Sequence, residues 1–67
     1  MVARLDAGKS VSHPFAESRH GYVHVARGAV ALNGQALKAG DGARLSEEPE
    51  AALTATEDSE ILLFDLA

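Results

Sequence analysis

The dipeptide Asn33-Gly34 is the feature that most constrains the fold of this chain. Both residues tolerate a positive φ, which a two-residue type I′ hairpin turn requires at its two central positions. A turn here pairs Leu32 with Gln35 and Val30 with Leu37, and it sets the register of both strands. The large apolar side chains then share one face, so the sequence predicts an antiparallel hairpin with one buried side.

Apolar and polar residues alternate with a period of two on both sides of this hairpin. The further segments that we interpret as strands are residues 11–15, 20–25, 43–46, 52–56 and 61–64. Turn signals separate them: a bulge or bend is predicted at Arg27-Gly28, and Asp41 is predicted to cap the turn at 40–42 with its side chain. No helical pattern is longer than one turn. The sequence therefore predicts an all-β protein, a sandwich or barrel of about seven or eight short antiparallel strands.

Size limits how such a chain becomes stable. With 67 residues it is expected to form a single domain, 1–67, and a domain of this size buries only a modest part of its surface. Such domains usually need a disulfide, a metal or a partner. Cysteine is absent, which excludes disulfides and thiolate metal sites. What remains is self-association, a neighbouring domain, or a metal site built from histidines and carboxylates.

The charge pattern excludes some classes of partner. The net charge is −4, and the six basic residues are spread singly rather than in a stripe that could follow a phosphate backbone. We therefore predict no nucleic-acid partner. No segment approaches the ~20 apolar residues of a membrane helix, and the first residues do not read as a signal peptide. A cytoplasmic protein without membrane contact is expected.

Histidines are the residues with the clearest chemical potential. His13 lies between Val11 and Phe15 on an apolar face, and we interpret it as a partly buried histidine bonded to a backbone carbonyl. His20 and His24 share a face of their strand with Tyr22 between them. Three histidines and Glu17 are the candidate metal ligands, and iron, nickel or zinc would be the metals that suit them.

Four segments, read in order, carry a family resemblance. They are YVHVARG (22–28), LNG (32–34), LKAGDG (37–42) and LLFDL (62–66). This series resembles the C-terminal cupin domain of bacterial pirin-like proteins, which are often described as quercetin 2,3-dioxygenases. The resemblance covers nearly the whole chain and implies a small antiparallel jelly roll of the cupin type. Pirins typically join two cupin domains, with the iron site in the N-terminal one, and this chain resembles only the second.

The resemblance also implies where a cupin metal site would lie. Its glutamate ligand would fall at Gly21, its paired histidines around 14–17, and its last histidine near Ala51. Three or four of the four expected ligands are missing from those positions. No catalytic residue, metal or other cofactor is therefore expected, although a site using His13, His20, His24 and Glu17 stays an alternative.

The same comparison predicts an interface. The Gly21 position faces the interior of a cupin barrel, so Val23 and Val25 point inward and the histidine face points away. The segment 61–64 is apolar on both faces, as in a strand covered on both sides. We therefore predict an interface with a partner cupin domain or, in a homodimer, a second copy, formed by His20, Tyr22, His24, Leu62 and Phe64.

These observations favour a metal-free structural or dimerisation module of the pirin type. Two alternatives stay open at this stage. One is a small metal-dependent, quercetinase-like dioxygenase. The other is a protein that binds a small apolar ligand in the mouth of the barrel.

Overall fold

The computed structural model describes residues 2–16, 18–46 and 48–66. These residues form eight β-strands and no helix, which confirms the all-β prediction. The strands are β1 (Val2–Leu5), β2 (Ser10–Pro14), β3 (His20–Arg27), β4 (Ala29–Leu32), β5 (Gln35–Lys38), β6 (Gly42–Ser46), β7 (Glu50–Ala55) and β8 (Ser59–Leu66). The described part thus contains no helix that could cross a membrane.

The strands form two four-stranded sheets. Sheet 1 has the order β1-β8-β3-β6 and sheet 2 the order β2-β7-β4-β5, with every pairing antiparallel. The chain passes repeatedly from one sheet to the other, as it does in a jelly roll. Alternation along each strand then gives each sheet one inner and one outer face.

The core lies between the two inner faces. Its fully or nearly fully buried side chains come from both sheets: Val23, Val25, Val30, Leu32, Leu37, Leu45, Ala51, Leu53, Ala55, Ile61 and Leu63. Most of these are β-branched or leucine side chains at alternate positions, which suits a half-buried pleated surface. The inward orientation predicted for Val23 and Val25 is confirmed.

The central hairpin forms in the predicted register. Asn33 and Gly34 have φ values of 48° and 86°, and Leu32 pairs with Gln35. The Asn33 side chain also reaches the neighbouring strand. Its Oδ1 accepts a hydrogen bond from the backbone N–H of Ala52 at 2.8 Å, and its Nδ2 donates to the carbonyl of Glu50 at 3.1 Å. One residue therefore forms the turn and attaches it to β7.

The bend after β3 also follows the prediction. The register of β3 against β8 shifts between Val25 and Arg27, and Gly28 has a φ of 83°. A Cβ on Gly28 would collide with the backbone at Asp58 and Ser59. Only glycine combines this conformation with so close an approach. The buried Ser59 hydroxyl accepts a hydrogen bond from the backbone N–H of Ala29 at 3.0 Å, which links β8 to β4 across the two sheets.

Asp41 caps its turn as predicted, since its Oδ2 accepts a hydrogen bond from the backbone N–H of Lys38 at 3.0 Å. Strand β1 was not predicted, because its four residues gain their partners only from β8, at the far end of the sequence. The expectation that 61–64 is covered on both sides is wrong within this chain. Ile61 and Leu63 are buried, but Phe64 is 45% exposed because nothing in the described chain packs on the outer side of sheet 1.

Candidate functional site

The candidate site is the outer face of sheet 1, the side turned away from sheet 2. Its centre is formed by the adjacent strands β3 and β8, whose register places His24 opposite Leu62, Tyr22 opposite Phe64 and His20 opposite Leu66. Directly paired residues project to the same side of a sheet. The five residues predicted to form an interface therefore do lie together on one face.

This face also holds the exposed large hydrophobic side chains of the described residues. Val2 is 64% exposed, Leu66 50% and Phe64 45%. Val2 on β1 is paired with Leu62, so it extends the apolar area beyond β8. Single exposed hydrophobic residues are ordinary, whereas a contiguous group on one sheet is typical of interaction surfaces.

Tyr22 lies flat across the centre of the outer face. Its ring and that of Phe64 have centroids 6.3 Å apart at an interplanar angle of 40°. Its phenol group covers Gly42 on β6, where a Cβ would collide with the hydroxyl. The absence of a side chain at Gly42 thus lets the aromatic surface continue from β8 to the edge strand.

Basic groups border the apolar centre on the side of β3 and β6. Arg44 is paired with Tyr22 across these strands. The Nδ1 atom of His20 lies 3.4 Å from the hydroxyl of Ser46, a long and weak contact. At the opposite end of the face, the Nε of Arg4 donates to the Oε2 of Glu60 at 3.0 Å.

A second group of polar side chains closes one end of the sandwich. Asp65 on β8 accepts a hydrogen bond at 2.7 Å from the Nε of Arg19. Its other carboxylate oxygen shares a hydrogen bond at 3.0 Å with the Nε2 of His13. Arg19 also donates from Nη2 to the Asp65 carbonyl at 2.8 Å. His13 belongs to sheet 2 and Asp65 to sheet 1, so this cluster joins the sheets. The predicted backbone-carbonyl partner of His13 is wrong, since its partner is a carboxylate 52 residues away.

The cluster stabilises the ionised form of Asp65. The hydrogen bond with His13, followed by that from Arg19, lowers the pKa of the Asp65 carboxyl below its ordinary value. The side chains of His13 and Asp65 are both 30% exposed, so solvent screens the pair. We therefore assign the cluster a structural role in holding the end of the sandwich.

Phe15 occupies the interior at this same end. Its ring lies where a Cβ of Gly21 would be, and it packs edge-on against His13 with centroids 5.2 Å apart. Ala51, paired with His13, is fully buried on the same inner face. The interior positions that the resemblance associates with metal ligands thus hold a glycine, an aromatic ring and a methyl group.

The candidate ligands do not come together. His20 and His24 are four residues apart on one strand, a separation of about 13 Å, and they face outward while His13 faces inward. Glu17 lies outside the described residues. Across 2–16, 18–46 and 48–66, no three His, Cys, Asp or Glu side chains are grouped so that they could hold a metal ion. These residues do not fit a site for iron, nickel or zinc, which needs at least three protein ligands.

A cleft of about 240 Å³ opens where β8 begins, at the other end of the sandwich. Charged side chains dominate its lining: Arg4, Asp6, Arg27, Asp58 and Glu60. This lining does not suit the small apolar ligand considered from the sequence, because burying these groups against an apolar molecule would remove them from water.

Several residues of these sites were missed at the sequence level. Val2 and Leu66 belong to the outer face, and Arg19 and Asp65 form the polar cluster. A signal for Asp65 was present, because Ile61, Leu63 and Asp65 alternate and must share the inner face. An acidic residue on a core face requires a partner, and its identity depends on the other sheet.

Comparison with known proteins agrees with this architecture. Residues 1–66 match the family described as the quercetinase C-terminal cupin domain. The chain belongs to this family. The cupin domain is 40% identical over 65 residues to a pirin-like protein of Caulobacter vibrioides, covering 97% of the chain and 28% of that relative. It is 37% identical over 54 residues to a quercetin 2,3-dioxygenase of Escherichia coli, covering 81% of the chain and 23% of the relative.

Solved structures show the same fold. The crystal structure of YhhW from Escherichia coli matches with a TM-score of 0.96 and 32% identity, covering 98% of this chain and 28% of the other. The structure of this bacterial pirin in complex with nickel(II) gives a TM-score of 0.91 at 33% identity, covering 94% and 28%. The predicted cupin fold and the resemblance to pirins are confirmed. The cupin domain spans about a quarter of the length of these relatives.

Proposed function

We propose that this cupin domain is a docking module whose outer face packs against a second cupin domain. The observation that carries the proposal is the contiguous apolar surface formed by Val2, Tyr22, Leu62, Phe64 and Leu66. Packed sheets lie about 10 Å apart with interdigitating side chains, and an aromatic centre such as the Tyr22–Phe64 pair suits this mode of contact.

Chain length favours another domain as the occupant over a second copy of this chain. The Caulobacter and Escherichia relatives extend well beyond the matched segment, which makes up 28% and 23% of their lengths. A partner domain in the remainder would face the outer surface at high effective concentration, since it would be part of the same chain. Docking would bury side chains that are otherwise 45% to 64% exposed.

A chimera tests this function. The matched segment of the Caulobacter relative is replaced by this chain, and unfolding is followed by calorimetry. Phe64→Gln removes the aromatic centre without adding charge, and Thr54→Gln on the outer face of sheet 2 is the matched control. Removing a central aromatic anchor weakens an interface by about 2 kcal/mol or more. Phe64→Gln is therefore expected to separate the unfolding of this domain from that of its neighbour, and Thr54→Gln is expected to preserve one transition.

Two results would contradict the proposal. One is a chimera in which the Phe64 and Thr54 variants unfold alike. The other is a stable dimer of the 67-residue chain in light scattering that Phe64→Gln dissociates, because the face would then belong to a second copy.

The dioxygenase alternative has a separate test. The activity in the name of the Escherichia relative describes a longer protein, of which the matched segment makes up 23%. We infer that metal chemistry lies outside this chain, because its described histidines are dispersed. Elemental analysis after reconstitution with iron, nickel or zinc is expected to give far less than one equivalent of metal. About one tightly bound equivalent would overturn this inference.

A further inference from the structure

Basic side chains at the border of the outer face restrict the chemistry of a partner that could dock there. Arg44 lies directly opposite Tyr22, and His20 and His24 lie two residues before and after Tyr22 on the same strand. All four side chains project from one side of the sheet. The ring of Tyr22 is thus flanked by one permanent cation and two imidazoles that become cationic on protonation.

Carboxylates are scarce on this part of the surface. Among the described residues that face outward from β1, β3, β6 and β8, the one carboxylate is Glu60, which is bonded to Arg4 at the far end of the face. Asp65 projects to the inner side and is bonded to His13 and Arg19. Glu48 lies in the loop beyond β6, and Glu47 lies outside the described residues. In a chain with a net charge of −4, this basic border is a local exception.

A docked partner has to compensate these groups. Covering Tyr22 removes water from the neighbouring side chains, and an uncompensated guanidinium or imidazolium at a desolvated border opposes association. A purely apolar partner surface would leave Arg44 without an acceptor. A partner surface with carboxylates around an apolar centre would instead form charge-assisted hydrogen bonds with Arg44.

We propose that the outer face recognises an acidic-rimmed protein surface, with an apolar centre against Tyr22 and Phe64 and carboxylates against Arg44, His20 and His24. This inference rests on the proposed docking function and specifies the chemistry of the partner. Docking weakens as salt rises, because mobile ions screen the charged border.

The test uses the same chimera, with the remainder of the Caulobacter relative as the probe. Arg44→Glu reverses the permanent charge, and the double variant His20→Gln/His24→Gln removes the two imidazoles. Lys38 is an exposed residue of β5 in sheet 2, away from the outer face of sheet 1. Lys38→Glu is therefore the matched charge-reversal control. Each variant is also measured in the isolated chain, so that effects on folding of the domain itself are subtracted.

Arg44→Glu is expected to lower the melting temperature of the chimera by about 2–4 °C beyond its effect on the isolated chain. The double histidine variant is expected to lower the melting temperature of the chimera more than that of the isolated chain, because two groups of the border are lost. Lys38→Glu is expected to change the chimera and the isolated chain equally.

The outcomes separate the two proposals. If Phe64→Gln uncouples the domains but Arg44→Glu behaves like Lys38→Glu, the docking function stands and the acidic-rimmed partner is refuted. If docking strengthens as salt rises, the assigned charge of the partner is refuted as well. If Phe64→Gln has no effect either, the docking function itself fails.

Discussion

The contact between Phe15 and Gly21 predicts that Gly21→Ala destabilises the chain when Phe15 is present and stabilises it when Phe15 is replaced by alanine. A methyl group at Gly21 would overlap the Phe15 ring. Gly21 does not have a positive φ, so its backbone accepts alanine, and the Phe15 ring is the obstacle. The perturbation is Gly21→Ala, made in the natural chain and in a Phe15→Ala variant.

Overpacking of a filled interior costs about 1–3 kcal/mol, so Gly21→Ala is expected to destabilise the natural chain by that amount. Phe15→Ala removes a half-buried ring and is expected to cost about 2 kcal/mol, less than the loss of a fully buried one. In that variant the methyl group enters vacated space. It also restricts the unfolded chain, so Gly21→Ala is then expected to stabilise by about 0.5 kcal/mol.

Urea unfolding followed by circular dichroism gives the four free energies of this cycle. The coupling between the two sites is expected to be at least about 1.5 kcal/mol. A Phe64→Ala background, which removes an aromatic ring from the outer face, serves as the control and is expected to retain the full cost of Gly21→Ala. Additive effects within about 0.5 kcal/mol would show that Phe15 does not fill the space above Gly21, and the account of this interior would be wrong.

The remaining predictions concern the turns and the polar cluster. Gly28→Ala is expected to lower the free energy of unfolding by about 2–4 kcal/mol in thermal unfolding, and Gly40→Ala by about 1 kcal/mol. Both glycines have a positive φ, but only Gly28 faces backbone atoms. Equal costs would refute the steric argument. Asn33→Ala removes two hydrogen bonds to β7 and is expected to lower the free energy of unfolding by about 1–2 kcal/mol. Hydrogen exchange at the Ala52 amide is expected to become faster, and an unchanged rate would contradict this. The pKa of Asp65 is lowered in the folded state. Its contribution to the free energy of unfolding is therefore present above its unfolded pKa of 3.8 and is lost as the pH falls through its folded pKa. Asp65→Asn should therefore flatten the loss of stability in acid below about pH 4, and an unchanged acid titration would remove Asp65 from this role.

Local patterns account for the parts of the fold that were predicted correctly. The Asn33-Gly34 turn determines the register of β4 and β5 through backbone geometry alone. Alternation places Gly21, Val23 and Val25 on one side of β3, and the cupin resemblance identified that side as the inner one. The same rule placed His20, Tyr22 and His24 on one face of their strand, and the pairing of β3 with β8 added Leu62 and Phe64 to that face.

The features that were missed depend on contacts between distant residues. Strand β1 is paired with β8, so residues near the two ends of the sequence meet only in the folded sheet. The partner of His13 lies 52 residues away, and the second partner of that carboxylate, Arg19, lies 46 residues from it. No periodicity in the sequence encodes such pairs.

The strand pattern, the turns and the alternation of the two sides of each strand follow from interactions within a few residues, so they could be predicted from the sequence. The folded structure was needed to show which inner positions meet across the sheets, that Phe15 fills the space beside Gly21, and that Phe64 stays exposed. These properties depend on how β2 and β8 are placed in opposite sheets, and long-range packing sets that placement.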